Sequence, residues 1–403
     1  MMEISLDLVR AAADRIRGGV QRTELSRSAA LSEMTGVDVW LKHEYRQITG
    51  SFKERGARNA LLQLDESARG RGVIAASAGN HALALAYHGR DLGIPVTVVM
   101  PKFAPLMKQS RCRALGADVK LFGAHIDEAK EYAMEFVVNA GKTYVHGFDA
   151  PAVIIGQGTI GLELIEQRPD LDAVIVPIGG AGLIAGVGYV LRQIAPDCEV
   201  IGVEPEHAAT YSAAVDNGSP YPAAMRPSLA DGLSVPKVGT NAFHIARSVV
   251  DQVVQVSESA IARSILRLLE YEKCVVEGGG ASALAALLED RLPHLRGKRV
   301  ALLLCGGNID STVLGRVIEY GLAADGRLSR FRTRISDRPG GLANLAKMLA
   351  DAQASVKQIT HERAFAGADV TTVEVECIIE TRDQAHLDAV KAKLEAEGMP
   401  CRD

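Results

Sequence analysis

The sequence predicts an α/β protein with two lobes around a cleft, followed by a small unit of the ferredoxin-like kind. Three observations predict it. Short apolar strands alternate with amphipathic helices through residues 72–140. A second series of the same kind begins near Ile154 and runs to Leu304. Beyond Asp325-Gly326 the order changes to strand, helix, strand, strand, helix. Alternation of the first kind indicates a parallel sheet covered on both faces, with ligands beyond the carboxyl ends of its strands.

The elements follow in order. A helix is expected at 7–17 and a short strand at 37–42, leading into Thr49-Gly-Ser-Phe-Lys-Glu-Arg-Gly-Ala57. Ser51 followed three residues later by Glu54 is a capping-box pattern, so a helix is expected to begin at Ser51. Strands then fall at 72–77, 95–100 and 118–122, and helices at 80–92, 105–115 and 127–140. In the second series strands are expected at 173–178, 199–203, 253–256 and 300–304, and helices at 183–194, 258–271 and 281–288. The tail reads strand 330–335, helix 342–352, strands 355–361 and 371–380, and helix 384–396. A chain of 403 residues exceeds one typical domain. The expected division is a core at 1–325, with its smaller lobe at about 50–150, and a tail at 329–403.

Charge and cysteine usage narrow the setting. A formal net charge of -4 gives no reason to expect nucleic acid or an anionic membrane as partner. No apolar run is long enough for a bilayer, and the start lacks a basic stretch before an apolar core. The six cysteines form no Cys-x-x-Cys pair, which fits a reducing cytoplasm and argues against structural zinc.

The chemistry centres on Lys53. A lysine in the first turn of a helix meets partial positive charge. That biases it towards the neutral amine, the form that attacks carbonyls; the plainer reading is a surface lysine. Ile178-Gly-Gly-Ala-Gly-Leu-Ile-Ala-Gly186 runs from a buried strand through glycines into a helix, a phosphate cradle or merely tight packing. Gly180-Ala-Gly182 also fits a dinucleotide fingerprint, with Glu204 where a ribose-binding acid belongs. A hydride-transfer enzyme is therefore a rival, although the fingerprint lies mid-chain and leaves Lys53 without a role. Ser77-Ala-Gly-Asn-His81, Val276-Glu-Gly-Gly-Gly-Ala281 and Cys305-Gly-Gly-Asn-Ile-Asp310 are further turns that could face one cleft. An amine, a phosphate cradle and polar groups around a flat pocket together point to pyridoxal phosphate.

Taken in order, six motifs resemble one family. Ser51-Phe-Lys-Glu-Arg-Gly-Ala57, Ser77-Ala-Gly-Asn-His81, Gly156-Gln-Gly-Thr159, Gly179-Gly-Ala-Gly-Leu183, Ala230-Asp-Gly232 and Cys305-Gly-Gly-Asn308 closely resemble the threonine/serine dehydratases. These are fold type II (tryptophan synthase β-like) pyridoxal-phosphate enzymes, and the likeness spans residues 5–322. The tail, with Asp337-Arg-Pro-Gly-Gly-Leu342, resembles an ACT regulatory domain, which implies a βαββαβ unit. Core and tail together are similar to the threonine ammonia-lyases with one C-terminal ACT domain. The resemblance implies that Lys53 carries the cofactor and Phe52 lines its ring. It implies Asn80 at the ring hydroxyl, Gly179, Gly180, Ala181, Gly182 and Leu183 at the phosphate, Gly232 beside the cofactor and Cys305 at the pyridine nitrogen. Ser77, Ala78, Gly79, Asn80 and His81 would receive the substrate carboxylate. Two departures stand out: Ala181 replaces a glycine of the family's loop, and Glu54 stands where many relatives have an apolar residue.

The implied reaction is β-elimination from L-threonine, and also L-serine, giving a 2-oxo acid and ammonia, in the cytoplasm. Serine racemase and hydroxyaspartate dehydratase are the alternatives within the family. Racemases carry a serine where this chain has Ala78, and a methyl group does no acid–base chemistry. A cation at Glu204, Ala208 and Thr210 is a further implication, with no metal site assigned. The tail implies an amino-acid effector, isoleucine or valine, a place in isoleucine biosynthesis, and a homodimer or homotetramer.

Overall fold

A computed structural model describes residues 3–362 and 371–402; Met1 and Met2 of the start judged for a leader lie outside them. The chain divides into two compact units, Met1–Ile309 and Asp310–Asp403.

The strands of the first unit are β1 (Leu25–Arg27), β2 (Asp38–Lys42), β3 (Val73–Ala76), β4 (Val96–Met100), β5 (Asp118–Leu121), β6 (Thr143–Tyr144), β7 (Ala173–Pro177), β8 (Glu199–Pro205), β9 (Gln252–Val256) and β10 (Arg299–Leu303). They form two sheets. The smaller has the order β5-β4-β3-β6, all parallel. The larger has the order β1-β2-β10-β7-β8-β9, parallel except for the β1–β2 pair. Every residue of β4 and β7 is buried, as unbroken apolar runs in covered sheets require. Each lobe has its own apolar core, one around Val98, Leu83 and Leu61, the other around Val176, Ile184 and Leu303. This is the two-lobed fold type II architecture that the motifs imply.

Several differences from the sequence reading have physical reasons. β2, for which no sheet was assigned, pairs with β10, placing Val39 beside Val300 in the larger sheet. The glycine run 278–280 is not a turn but the first turn of the helix Gly278–Leu288. A Cβ at Gly278 would strike the Leu229 carbonyl, and one at Gly280 the Gly306 backbone, so close backbone approach explains these glycines. The helix Pro151–Gln167, which had no assignment, is buried along most of its length and carries the Gly156-Gln-Gly-Thr159 motif. Gly156 lies directly against Gly56 of the helix Lys53–Leu62.

In the second unit β11 (Leu328–Ser336), β12 (Ser355–Glu362) and β13 (Thr372–Glu380) form an antiparallel sheet of order β11-β13-β12. The helices Gly341–Asp351 and Gln384–Ala396 bury Leu345, Leu349, Leu387 and Val390 against Phe331, Val375 and Cys377. The sixth element of a βαββαβ unit is reduced to a single bridge, with Arg332 N donating to Arg402 O at 2.7 Å and the reverse bond at 2.8 Å. The helix Ser311–Ala324, expected within the core range, falls in this unit and packs against β11.

Candidate active site

Lys53 is the first residue of its helix, but Ser51 does not cap it. Phe52 occupies the cap position without a side-chain bond. The Ser51 backbone forms an isolated antiparallel bridge with Gly306, and its buried hydroxyl has no partner. The reach-back of Glu54 survives, though its carboxylate accepts the Thr49 N–H, two residues earlier than a capping box places it. The other oxygen of Glu54 lies 3.5 Å from His88 Nε2, both side chains fully buried. Residues 49–52 are stitched to the turn after β10: Phe52 N donates to Cys305 O at 3.0 Å and Gly307 N to Gly50 O at 2.9 Å. Gly50 needs to be glycine here, since its φ is +82° and a Cβ would meet the Asn308 side chain.

Two residues beyond Lys53, a buried ionic cluster anchors the helix. The Arg55 guanidinium grips Glu44 at 2.7 and 2.8 Å and Glu163 at 2.6 and 2.9 Å. Lys42 Nζ joins Glu163 at 2.7 Å. A buried guanidinium with two carboxylates and full hydrogen bonding fixes orientation more than it adds stability.

The Lys53 amine donates to the Gly147 carbonyl at 2.6 Å, with the rings of Phe52 at 5.0 Å and Phe148 at 5.9 Å. Burial lowers its pKa to about 8, against the opposing pull of Cys305 and Glu277. Removal from water, the leading cause, thus gives the bias towards the free amine that its place in the helix predicts. Burial also pushes the Cys305 thiol well above its ordinary range, so it stays neutral.

The glycine loop follows β7. Ala181 adopts the left-handed region, φ +68°, directly before the helix Gly182–Ile194. Phe148 lies across this loop: a Cβ at Gly180 would overlap its ring, and one at Gly182 its carbonyl oxygen. Among the described residues no acceptor takes the N–H groups of Gly179, Gly180, Ala181, Gly182 or Leu183. Five unpaired donors at a helix N-terminus are a site for an anion.

The loop 77–79, expected to receive a substrate carboxylate, lies between β3 and the helix Asn80–Asp91. Ser77 Oγ accepts the Gly79 N–H at 3.3 Å, and a Cβ at Gly79 would meet no protein atom. The His81 ring lies against Gly147. Its Nε2 pairs with the Val145 carbonyl at 2.9 Å, and burial lowers its pKa to about 3. Its Nδ1 is buried without a partner. Asn80 Nδ2 donates to Glu277 Oε1 at 2.7 Å, and Asn308 Nδ2 donates to Asn80 Oδ1 at 2.9 Å. Gly232 is exposed beside Glu277, its added Cβ falling 3.6 Å from Oε1. Burial, then the neighbouring Asp231, raises the Glu277 pKa to about 7.

Glu204, Ala208 and Thr210 are all buried. Glu204 accepts from Tyr211 N at 2.6 Å, Ser212 N at 2.9 Å and Ser212 Oγ at 2.6 Å, closing the start of the helix Thr210–Asn217. A carboxylate engaged in this way is a poor partner for a ribose, which weakens the hydride-transfer reading. Sequence reasoning missed Phe148, Gly147, Glu163 and the roles of Glu277 and Asn308. The stretch 146–149 has no periodicity, so Phe148 had no signal; Asn308 stood at the end of a quoted motif.

With this geometry in place, comparison with known proteins is informative. Residues 16–306 match the family model described as pyridoxal-phosphate dependent enzyme, and the chain belongs to that family. It is 42% identical to the L-threonine ammonia-lyase of Thermotoga maritima over 399 residues, 99% of each chain. The processed form of threonine deaminase isoform 2 from Solanum lycopersicum superposes with TM-score 0.74 at 34% identity, covering 79% of this chain and 95% of that one. A serine racemase from Dictyostelium discoideum gives 0.72 at 32%, covering 76% and 99%. The cofactor is pyridoxal phosphate. Its residues fit: an amine tending to neutrality, a neutral thiol, flanking rings and an unpaired N–H cradle. No helix among the described residues is long and apolar enough to cross a membrane.

Proposed function

We propose that this enzyme is an L-threonine ammonia-lyase that converts threonine to 2-oxobutanoate and ammonia, and also accepts L-serine. The observation that carries the reading is the buried Lys53 amine, poised near pH 8, beside the unpaired N–H groups of 179–183. The end-to-end likeness to an L-threonine ammonia-lyase supports it.

When bound, the cofactor supplies an electron sink for the substrate's α-carbon. Lys53 would hold it through its side-chain amine, and that amine, tending to the neutral form, would be the base for the substrate's α-proton. The N–H groups of Gly179 to Leu183 bind the phosphate, and the main chain of Ser77 to His81 binds the substrate carboxylate. Phe52 and Phe148 exclude water from the amine. Cys305, a neutral thiol, is a weak donor and cannot hold a pyridine nitrogen protonated as a carboxylate would. That favours prompt loss of the β-hydroxyl. Ala78 offers no second base, which weighs against racemisation.

The tail is read as an ACT domain on its helix and strand order and its Asp337-Arg-Pro-Gly-Gly-Leu342 turn. It binds isoleucine or valine and links the enzyme to isoleucine synthesis, in a homodimer or homotetramer. Six free cysteines support a cytoplasmic setting. The test is direct. Purified enzyme should absorb in the visible, borohydride should fix the cofactor on Lys53, and threonine should yield 2-oxobutanoate. A wild-type protein with no label on Lys53, or one that racemises serine faster than it eliminates, would overturn the reading. Isoleucine and valine that alter neither rate nor cooperativity would remove the regulatory part.

A further inference from the structure

One polar chain crosses the cleft and reaches Asn80 through residues given no role above. Arg111 Nη1 donates to Asn308 Oδ1 at 2.9 Å. Asn308 Nδ2 donates to the Thr49 carbonyl at 2.6 Å and to Asn80 Oδ1 at 2.9 Å. Asn80 Nδ2 donates to Glu277 Oε1 at 2.7 Å. Arg111 and Asn80 belong to helices of the smaller lobe, Asn308 and Glu277 to the larger.

The direction of this chain is set by its ends. A guanidinium only donates, and a main-chain carbonyl only accepts. Asn308, held between Arg111 and Thr49, therefore has one amide orientation. Its Nδ2 demands an oxygen opposite, which fixes Asn80 as well. Asn80 must then turn its nitrogen towards Glu277, whose Oε1 must accept. A nitrogen with two protons spends one on Glu277 and keeps one for the cleft.

We propose that Asn308 and Glu277 are positioning residues for the cofactor ring, locking the Asn80 amide so that it presents an N–H, not a carbonyl, to the ring oxygen. This rests on the reading above that Asn80 faces the ring. An N–H there stabilises the ring oxygen as an anion; a carbonyl there favours the protonated oxygen. The two forms absorb in different bands, the anionic one at longer wavelength, so the amide's orientation has an optical readout.

The informative variant is N308D. It keeps the size and an acceptor for Arg111 but removes the donor, so Asn80 must offer its nitrogen to residue 308 and turn its carbonyl to the cleft. The ratio of long- to short-wavelength bands should fall at least about tenfold, the scale of one hydrogen bond to a charged group. E277Q, whose side-chain oxygen can still accept from Asn80, should keep the ratio within about twofold, taking the same neutral acceptor logic. Borohydride labelling of Lys53, read by mass spectrometry, checks attachment in each protein. An unchanged ratio in N308D with Lys53 labelled overturns the inference and leaves the proposed function standing. A shift in E277Q as large as in N308D overturns the assigned direction. Wild-type protein without a Lys53 label overturns the function itself, and the inference with it. Should N308D yield no folded protein, N308A is read instead: it frees the amide, and an unchanged ratio overturns the inference equally.

Discussion

Replacing Lys53 by methionine should make the cofactor-free protein more stable at neutral pH. Burial lowers the amine's pKa to about 8 from an ordinary 10.5. The folded protein therefore binds this proton less readily than the unfolded chain does. Unfolding takes up a proton between those two values, so stability rises with pH across that window. Below the folded value the whole penalty is present. The gap corresponds to about 3 kcal/mol, and because the residue keeps partial exposure to the cleft this is an upper bound. Methionine has a similar length and no charge, but it forfeits the bond to the Gly147 carbonyl, worth about 1 kcal/mol. The net gain at pH 7 is then about 2 kcal/mol. It should shrink as pH rises above 8 and reverse by pH 10.5, where only the lost bond remains and the variant is the weaker by about 1 kcal/mol. Urea unfolding of both apoproteins at a series of pH values measures it. A variant less stable than wild type at pH 7, or a difference that does not shrink with rising pH, refutes the view that burial holds this amine towards neutrality.

Other expectations follow from single contacts. Ala181→Gly removes a methyl from a left-handed residue, and should stabilise the apoprotein by about 1 kcal/mol in thermal melts. Gly182→Ala drives a methyl into the Phe148 carbonyl, and should weaken cofactor binding at least about tenfold in fluorescence titrations, as the cradle is displaced. Arg55→Leu leaves Glu44 and Glu163 buried without their cation; denaturant unfolding should register a loss of about 3–5 kcal/mol. Glu277, raised from 4.5 to about 7, contributes stability that is full below its unfolded value and lost as pH rises through 7. Against Glu277→Gln, wild-type apoprotein should lose up to about 3 kcal/mol between pH 4.5 and 7 in the same assay.

The fold was legible wherever one short apolar run meets one amphipathic helix. β3, β4 and β7 with the helices after them, and the strand β8, fall within a few residues of their expected places, because burial on both faces writes itself into composition. The helix Pro151–Gln167 was missed: a helix buried on nearly all sides has no polar stripe to betray its period. β6 is two residues long and β1 three, too short for any pattern. In the site, Lys53, Asn80 and the 179–183 loop were legible because each sits at the junction of a strand or turn with a helix. The cap at Ser51 was misread because a long-range bridge to Gly306, invisible to local pattern, claims its backbone. Asn308 and Glu277 act on a partner 228 and 197 residues away, and no spacing along the chain announces that.

The stitching of residues 49–52 to the turn at 305–308 has a mechanical consequence. The body of the Lys53 helix sinks Ala57, Ala60 and Leu61 into the smaller lobe's core, whereas its leading edge, through Phe52, belongs to the core of the larger lobe. Lys53 thus stands at the fulcrum between the two lobes of the first unit. If the lobes rock, the amine and the thiol of Cys305 ride together with almost no travel, while the far end of the smaller lobe swings through the larger arc. The Lys53 amine can stay still while the rest of the smaller lobe moves around it.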